Sequence, residues 1–99
     1  MSKTERPPTH PGAVLREDVL PALNVPKAAI ARNLGISRQQ LYGLLDESRP
    51  VSPQIAVRLG KLCGNGPGLW LRMQAAYDLW HAERELADQI DDIPTLAAG

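Results

Sequence analysis

The chain has 99 residues with 11 basic and 11 acidic side chains, so its formal net charge is zero. Its single cysteine excludes an internal disulfide framework and a multi-cysteine zinc site. It also lacks both the run of roughly 20 apolar residues that a membrane span needs and the apolar stretch of a secretory signal, so we expect a small cytoplasmic domain with no membrane contact.

The neutral total hides an uneven distribution of charge. Residues 1–62 carry nine basic and five acidic side chains, which gives +4, and residues 63–99 carry two basic and six acidic ones, which gives −4. Such a split favours a basic surface for nucleic acid and an acidic region elsewhere. Segregation of charge by chance on a neutral surface is the alternative.

Proline and glycine divide the chain into helix-length segments, and the alternating pattern of strands is absent. Residues 1–9 are polar and contain two prolines, which predicts a flexible arm. Residues 10–90 are expected to form one domain, and residues 91–99 a C-terminal tail. The first helix is predicted to begin near Gly12 and to end at Leu20, because a proline follows.

The second and third predicted helices have the pattern of a helix-turn-helix, in which two short helices are joined by a turn containing glycine. The second helix begins near Pro26, and Gly35 ends it. Ser37 and Gln40 form a capping box, which predicts the third helix over residues 38–46. An ordinary helical hairpin is the alternative. The residues expected to hold the unit together are Ile30, Ala31, Leu34, Ile36, Leu41 and Leu44.

The third helix of such a unit enters the major groove of DNA by its N-terminal end. Arginine can make two hydrogen bonds to guanine, and glutamine can do the same to adenine. The candidate base-reading residues are Arg38, Gln39 and Tyr42. The candidates for contact with the DNA backbone are Ser37, Lys27, Arg32 and Arg49, with Arg58 and Lys61 as further basic side chains.

A fourth helix is predicted from Ser52-Pro53 to Gly64, with Ile55, Val57, Leu59 and Leu62 filling its inner face.

The fifth and longest helix, predicted over residues 67–90, has two apolar faces separated by a polar strip that includes Gln74. A helix with two apolar stripes is covered on two sides, so we expect one on the core and the other on a second copy of the chain. The sequence does not decide which stripe is which, and packing of both within one chain is the alternative. The aliphatic face contains Leu71, Leu79, Leu86 and Ile90. The candidate dimer contacts lie on the aromatic face and are Trp70, Met73, Tyr77 and Trp80.

Four segments of the chain together carry a resemblance to a known family. They are HPGAVLRED (10–18), IARNLGISRQQLYGLL (30–45), SPQIAVRLGKLCG (52–64) and GLWLRMQAAYDLW (68–80). In this combination the chain resembles the HigA-type antitoxins, small helix-turn-helix proteins of the Xre/Cro-like class that are encoded beside a HigB-type toxin.

The resemblance implies a fold, a partner and a function. The fold is all-α, a five-helix lambda-repressor/Cro-like helix-turn-helix domain with a long C-terminal helix. The family forms homodimers that bind palindromic double-stranded operator DNA and repress their own operon. Its members also neutralise, by direct binding, a small basic toxin, an mRNA-cleaving ribonuclease of the RelE/HigB-like type.

Two features depart from the family pattern. Gly43 lies where relatives often carry a basic or polar residue, and a glycine inside a helix reduces stability by about 1 kcal/mol relative to alanine. The turn at residues 46–48 contains two acidic residues where relatives often have a more basic turn, and these are expected to repel phosphate. Both features favour base reading concentrated in Arg38, Gln39 and Tyr42.

The toxin is expected to bind the arm and the first helix, because that segment lies away from the reading helix. The acidic C-terminal segment is the alternative binding site, because its charge is complementary to that of a basic toxin. The candidate toxin-binding residues are Arg6, His10, Leu15 and Glu17.

Enzymatic readings have little support in the sequence. The two histidines, His10 and His81, have no catalytic motif around them, and His10 is expected to cap the first helix. Cys63 is expected to be a buried, inert thiol. We therefore expect no enzymatic activity, no metal site and no cofactor.

Three functions are compatible with these patterns. They are an operator-binding antitoxin, a free-standing Cro-like repressor without a toxin partner, and an interaction protein whose helix-turn-helix has lost its affinity for DNA. A small basic protein encoded beside this one would separate the first from the second. Promoter binding with a steep salt dependence would separate both from the third.

Overall fold

The computed structural model describes residues 6–97, and this part of the chain contains helices and no strands. Residues 1–5 of the predicted arm and residues 98–99 of the predicted tail lie outside the described residues. Helix α1 is continuous over residues 11–23. The next helices are α2 (Lys27–Leu34), α3 (Arg38–Leu45), α4 (Pro53–Cys63) and α5 (Pro67–Glu85), followed by a 3₁₀ turn (Ile90–Asp92). The prediction of an all-α fold of five helices is confirmed.

Helix α1 contains a π-helical turn, Leu15–Val19, between two short α-helical ends. The backbone N–H of Leu20 donates to the carbonyl of Leu15, five residues back, and both leucines lie in the core. The π-helical turn lies directly before Pro21, which cannot donate a backbone hydrogen bond to the preceding turn. The prediction that α1 ends at Leu20 is therefore wrong, since the helix passes Pro21 and ends before Asn24, whose φ is 54°.

The other helix bounds differ from the prediction mainly at α5. This helix ends at Glu85 and not at Ile90, and all side chains of residues 83–97 are exposed. Helices gain most of their stability from packing, so a segment with nothing to pack against stops being helical. At α2, Pro26 is the N-cap, and the helix begins one residue later than predicted.

The core lies among α1–α4 and one face of α5. Helix α5 packs along α4 and touches α1, while α3 contacts both α1 and α2. The predicted inner residues of the helix-turn-helix are buried, apart from the half-buried Ile36. Val57 was expected to fill the inner face of α4, but it is 59% exposed because it lies on the opposite side of that helix. The buried apolar residues are Leu15, Leu20, Ile30, Ala31, Leu34, Leu41, Leu44, Leu45, Val51, Ala56, Leu59 and Trp70.

Candidate nucleic-acid interface

The turn between α2 and α3 has the geometry of a Schellman motif. Gly35 has a φ of 73°, its N–H donates to the Arg32 carbonyl at 3.1 Å, and the Ile36 N–H donates to the Ala31 carbonyl at 3.1 Å. A left-handed residue in this turn favours glycine. A side chain there would also collide with Arg58, since a Cβ would lie 2.7 Å from its Nη1.

The start of α3 is fixed by the predicted capping box. The backbone N–H of Gln40 donates to Ser37 Oγ, and the backbone N–H of Ser37 donates to Gln40 Oε1, both at 3.0 Å. These bonds satisfy two donors at the helix start without any other part of the chain. The helix end that would approach DNA is therefore formed by local interactions, and its remaining N–H groups stay directed outward.

Helix α3 separates its side chains into a buried and an exposed face. Leu41, Leu44 and Leu45 lie in the core. The three predicted base readers, Arg38, Gln39 and Tyr42, are exposed together on the other face, and Tyr42 is 46% exposed despite its aromatic ring. The helix thus presents a guanidinium, an amide and a phenol, and these groups suit hydrogen bonding to base edges.

The predicted backbone contacts Lys27, Arg32 and Arg49 are also exposed, and so is Ser37. Lys27 begins α2 and shares a surface concavity with Tyr42 and Leu45 of α3. Arg58 is already engaged, because its Nη1 donates to the Leu34 carbonyl at 2.7 Å. It stabilises the end of α2 and is less suited to a phosphate contact than the sequence alone indicated.

Gly43 has a packing role that the sequence did not predict. The stem of Arg49 crosses α3 at this point, and a Cβ on Gly43 would lie 2.5 Å from Arg49 Cδ. The Gly43 carbonyl also accepts from the backbone N–H groups of Ser48 and Arg49, both at 3.0 Å. The glycine thus lets the next turn fold back over the helix, and it positions a basic side chain beside the exposed face.

The two acidic residues after α3 have partners within the chain. Asp46 Oδ1 accepts from the Ser48 N–H at 2.9 Å, and hydrogen bonds from Ser48 hold the pKa of Asp46 below its usual value. Glu47 lies 3.2 Å from Arg16. The ion pair with Arg16 offsets the charge of Glu47, whereas the lowered pKa keeps Asp46 ionised, so the repulsion of phosphate predicted for this turn is weakened only at Glu47.

Two of the four predicted toxin contacts are corrected by burial. His10 is 3% exposed, and its Nδ1 accepts from the Gly12 N–H at 2.9 Å, so its predicted role as a cap for α1 is confirmed. Leu15 is 1% exposed and belongs to the core. Side chains buried to this extent are not available for contact with a partner. Arg6 and Glu17 are exposed.

The aromatic face of α5 packs largely on the chain itself, which corrects the assignment of Trp70 to a dimer contact. Trp70 is 1% exposed, and its Nε1 donates to Asn65 Oδ1 at 3.0 Å. Tyr77 packs edge-on against His10, with ring centres 4.7 Å apart. The other two predicted dimer residues, Met73 and Trp80, are partly buried.

The aliphatic face of α5 is the one left open. Leu79, in the last part of α5, is 59% exposed. Leu86 and Ile90, which continue the stripe beyond the end of α5, are 44% and 52% exposed, and a surface concavity runs along these three residues. Their spacing in the sequence already indicated a second apolar stripe, but not which stripe covers the core.

Gln74 is a structural residue that the sequence analysis missed. It was assigned to the polar strip of α5 but is 5% exposed. Its Oε1 accepts from the Val51 N–H at 2.7 Å, and its Nε2 donates to Asp78 Oδ1 at 2.9 Å. The amide thereby joins α5 to the segment that links α3 and α4. Its polar character concealed this position, because a buried polar side chain is identified by its partners and not by hydropathy.

Groups that could support other chemistry are few. Within residues 6–97, no three histidine, cysteine, aspartate or glutamate side chains are grouped to hold a metal ion. Burial raises the pKa of the half-buried Cys63 thiol. In the same part of the chain, no helix combines the length and apolar character needed to cross a membrane.

Comparison with known proteins identifies the family, although no family model matches the chain. Virulence-associated protein I of Dichelobacter nodosus is 36% identical over 83 residues, covering 84% of this chain and 77% of that protein. In the structure of Pseudomonas aeruginosa antitoxin HigA with the higBA promoter, the antitoxin chain is 32% identical to this one in sequence. The two folds superpose with a TM-score of 0.83 over 91% of this chain and 99% of the other. The structure of antitoxin GraA in complex with its operator is 34% identical with a TM-score of 0.85, covering 99% of both chains. The chain belongs to the HigA-type family of helix-turn-helix antitoxins.

Proposed function

We propose that this protein is a cytoplasmic antitoxin that binds its operator DNA as a homodimer, represses its own operon and neutralises a small basic toxin of the RelE/HigB type by direct binding. It acts by binding and not by catalysis. The observation that carries the proposal is the exposed face of α3, where Arg38, Gln39 and Tyr42 stand together on a helix-turn-helix whose relatives were solved on operator DNA.

Base reading is assigned to these three side chains, and positioning on the duplex to the basic residues around them. Ser37 and the free N–H groups at the start of α3 approach a phosphate, as helix N-termini commonly do. Exposed basic side chains from two segments, α2 and the turn after α3, neutralise phosphates on either side of the groove. These are Lys27, Arg32 and Arg49.

The homodimer is assigned to the exposed aliphatic stripe of α5. Large apolar side chains that line one side of a helix and face solvent mark an interaction surface. The stripe also carries small residues, Ala75 and Ala82, which let two helices approach closely. A two-fold dimer would present two reading helices about 34 Å apart and thus match a palindromic operator.

Operator binding is tested with the promoter DNA of the protein's own operon. We expect Gln39→Ala to weaken binding by roughly 10- to 100-fold at its cognate base pair and to relax specificity there. The matched control is Gln89→Ala, since Gln89 is an exposed glutamine beyond α5. Equal affinities of both variants and the wild type, measured by fluorescence anisotropy, would remove the base-reading assignment.

Toxin neutralisation is tested by co-expression with the product of the adjacent gene. We expect a stoichiometric complex with a basic partner of roughly 10 kDa and suppression of mRNA cleavage. Charge reversal then locates the surface that contacts the toxin. We expect Glu17→Lys to weaken the antitoxin–toxin complex more than the double variant Asp91→Lys, Asp92→Lys does. The reverse order would assign the toxin to the acidic C-terminal segment. Recovery of the protein alone, still bound to its promoter, would support the free-standing repressor.

A further inference from the structure

Arg16 connects α1 to the end of the reading helix through three partners. Its Nη1 donates to the Leu45 carbonyl and lies 3.2 Å from Glu47 Oε2, while its Nη2 lies 2.9 Å from Glu17 Oε2. Leu45 is the last residue of α3, and Glu47 belongs to the turn that follows it. The side chain therefore spans the boundary between the N-terminal helix and the helix-turn-helix.

The Leu45 carbonyl depends on this contact. At the end of a helix the last carbonyls have no partners within the helix itself. The carbonyls of Tyr42, Gly43 and Leu44 accept from backbone N–H groups of residues 46–49, whereas the Leu45 carbonyl accepts from Arg16. A cation at this position also favours the negative end of the helix dipole.

Glu47 gives a second reason why the turn needs Arg16. Its φ is 66°, a left-handed conformation that is unfavourable for a residue with a Cβ. Its side chain has no fixed partner other than Arg16 among the hydrogen bonds of residues 6–97. The ion pair thus fixes the side chain of a residue with an unfavourable backbone conformation directly after α3.

The contact lies beside the proposed DNA surface, where Arg16 is exposed but its guanidinium is engaged by Leu45, Glu47 and Glu17. Arg16, Lys27 and Tyr42 line one concavity, so a displaced α3 or an unpaired Glu47 would alter the surface that faces DNA. One turn earlier in α1, Gly12 packs directly on the Leu44 carbonyl. Helix α1 therefore supports the C-terminal end of α3 at two successive points.

We propose that Arg16 is a positioning residue of the reading helix, which controls operator affinity by holding the end of α3 and neutralising Glu47, without touching DNA. This inference rests on the proposed operator binding. The guanidinium of Arg16 is occupied by protein partners. Loss of the Arg16 side chain should therefore weaken operator binding without removing a phosphate contact. The dependence of affinity on salt separates these two roles, since each phosphate contact contributes about 0.9 to the slope of log K against log salt concentration.

The experiment measures operator affinity at several salt concentrations for the full chain and four variants. We expect Arg16→Ala to lower affinity about tenfold with the salt slope of the wild type. Lys27→Ala, the reference for a phosphate contact, should reduce the slope by about 1. Arg16→Lys keeps the charge but lacks the planar fork, so it should lose less affinity at an unchanged slope. Asp18→Asn, an exposed neighbour of Arg16 in the π-turn, should match the wild type.

Circular dichroism shows which variants are folded. If Arg16→Ala does not fold, the affinity and salt slope of Arg16→Lys test the inference instead. A slope reduced by about 1 in Arg16→Ala would assign Arg16 to a phosphate and overturn the inference. Wild-type affinity in the Arg16 variants that fold would also overturn it, while leaving the proposed function intact. A wild-type protein that does not bind the operator would overturn the proposed function itself, and the inference with it.

Discussion

At the scale of single residues, His10 links the first helix to the last. Its Nδ1 accepts from Gly12, so the ring is held as the neutral tautomer with its proton on Nε2. The ring packs edge-on against Tyr77 of α5. Burial lowers the pKa of His10, although the charges of Glu47 and Asp78 act in the opposite direction. The cap and the packing both need the uncharged ring.

This arrangement predicts that the protein loses stability in mild acid. The pKa of His10 in the folded chain lies below its usual value of about 6.5, so the unfolded chain binds more protons near and below that pH. The free energy of unfolding should therefore fall as the pH drops through 6.5 towards the pKa of the folded state. His10→Asn keeps a capping side chain that does not titrate.

Urea denaturation of the wild type and His10→Asn at about pH 7.5 and 5 measures this effect. We expect the wild type to lose more stability than the variant between the two pH values. The difference between the two proteins in the pH dependence of the free energy of unfolding isolates the contribution of His10, because all other titrating groups are common to both. Parallel pH dependence in the two proteins would show that His10 does not carry it.

At this scale, roles set by neighbouring residues in the chain could be predicted from the sequence. The capping roles of His10 and Ser37 follow from neighbouring residues, and both are confirmed. Gln74 was misjudged because its hydrogen-bond partner Val51 comes from a distant segment. The role of Gly43 was misread for the same reason, since Arg49 meets it only after the chain has folded back.

At the scale of elements, the critical contact is the crossing of α1 and α3. Gly12 is buried there, and a Cβ at this position would lie 1.8 Å from the Leu44 carbonyl oxygen. This oxygen belongs to the backbone of α3, which cannot move away from an added methyl group as a flexible side chain can. The starts of α3 and α4 were predicted from their caps, whereas this close approach could not be, because it depends on how two helices that are distant in the sequence pack in the folded chain.

We predict that Gly12→Ala destabilises the protein by roughly 1–3 kcal/mol, because the added methyl group forces α1 away from α3. The matched control is Gly68→Ala in the first turn of α5, where the nearest atom is the tip of Arg72 at 3.0 Å. Alanine is the better helix former, so this control should keep or raise stability. Urea midpoints of the two variants give the comparison, and equal midpoints would argue against a tight crossing.

At the scale of the whole molecule, the chain leaves an apolar surface without a partner. It extends over 51 × 29 × 24 Å, and its radius of gyration of 16.7 Å exceeds the roughly 13 Å of a compact domain of this length. The last part of α5 and the residues after it are exposed, including Leu79, Leu86 and Ile90. The sequence predicted two stripes on this helix, but only the folded chain shows that the aromatic one covers the core.

This assignment changes which substitution should dissociate the proposed dimer. Replacement of Trp70 by alanine would open the core, at a loss of about 3–5 kcal/mol, and would not test the interface selectively. Leu79→Asp changes a side chain that is 59% exposed, so the fold of each chain should survive. In a dimer through the aliphatic stripe, however, the new charge would be buried without a partner.

We therefore expect Leu79→Asp to weaken dimerisation at least about tenfold in sedimentation equilibrium, and to reduce the affinity for a full palindromic operator more than that for a single half-site. Leu96→Asp is the control, because Leu96 is 87% exposed in the segment beyond the helices. The comparison of full and half operators matters because a monomer keeps its reading helix but loses the second contact one helical turn away. An intact dimer in Leu79→Asp would move the two-fold axis to another face of the molecule.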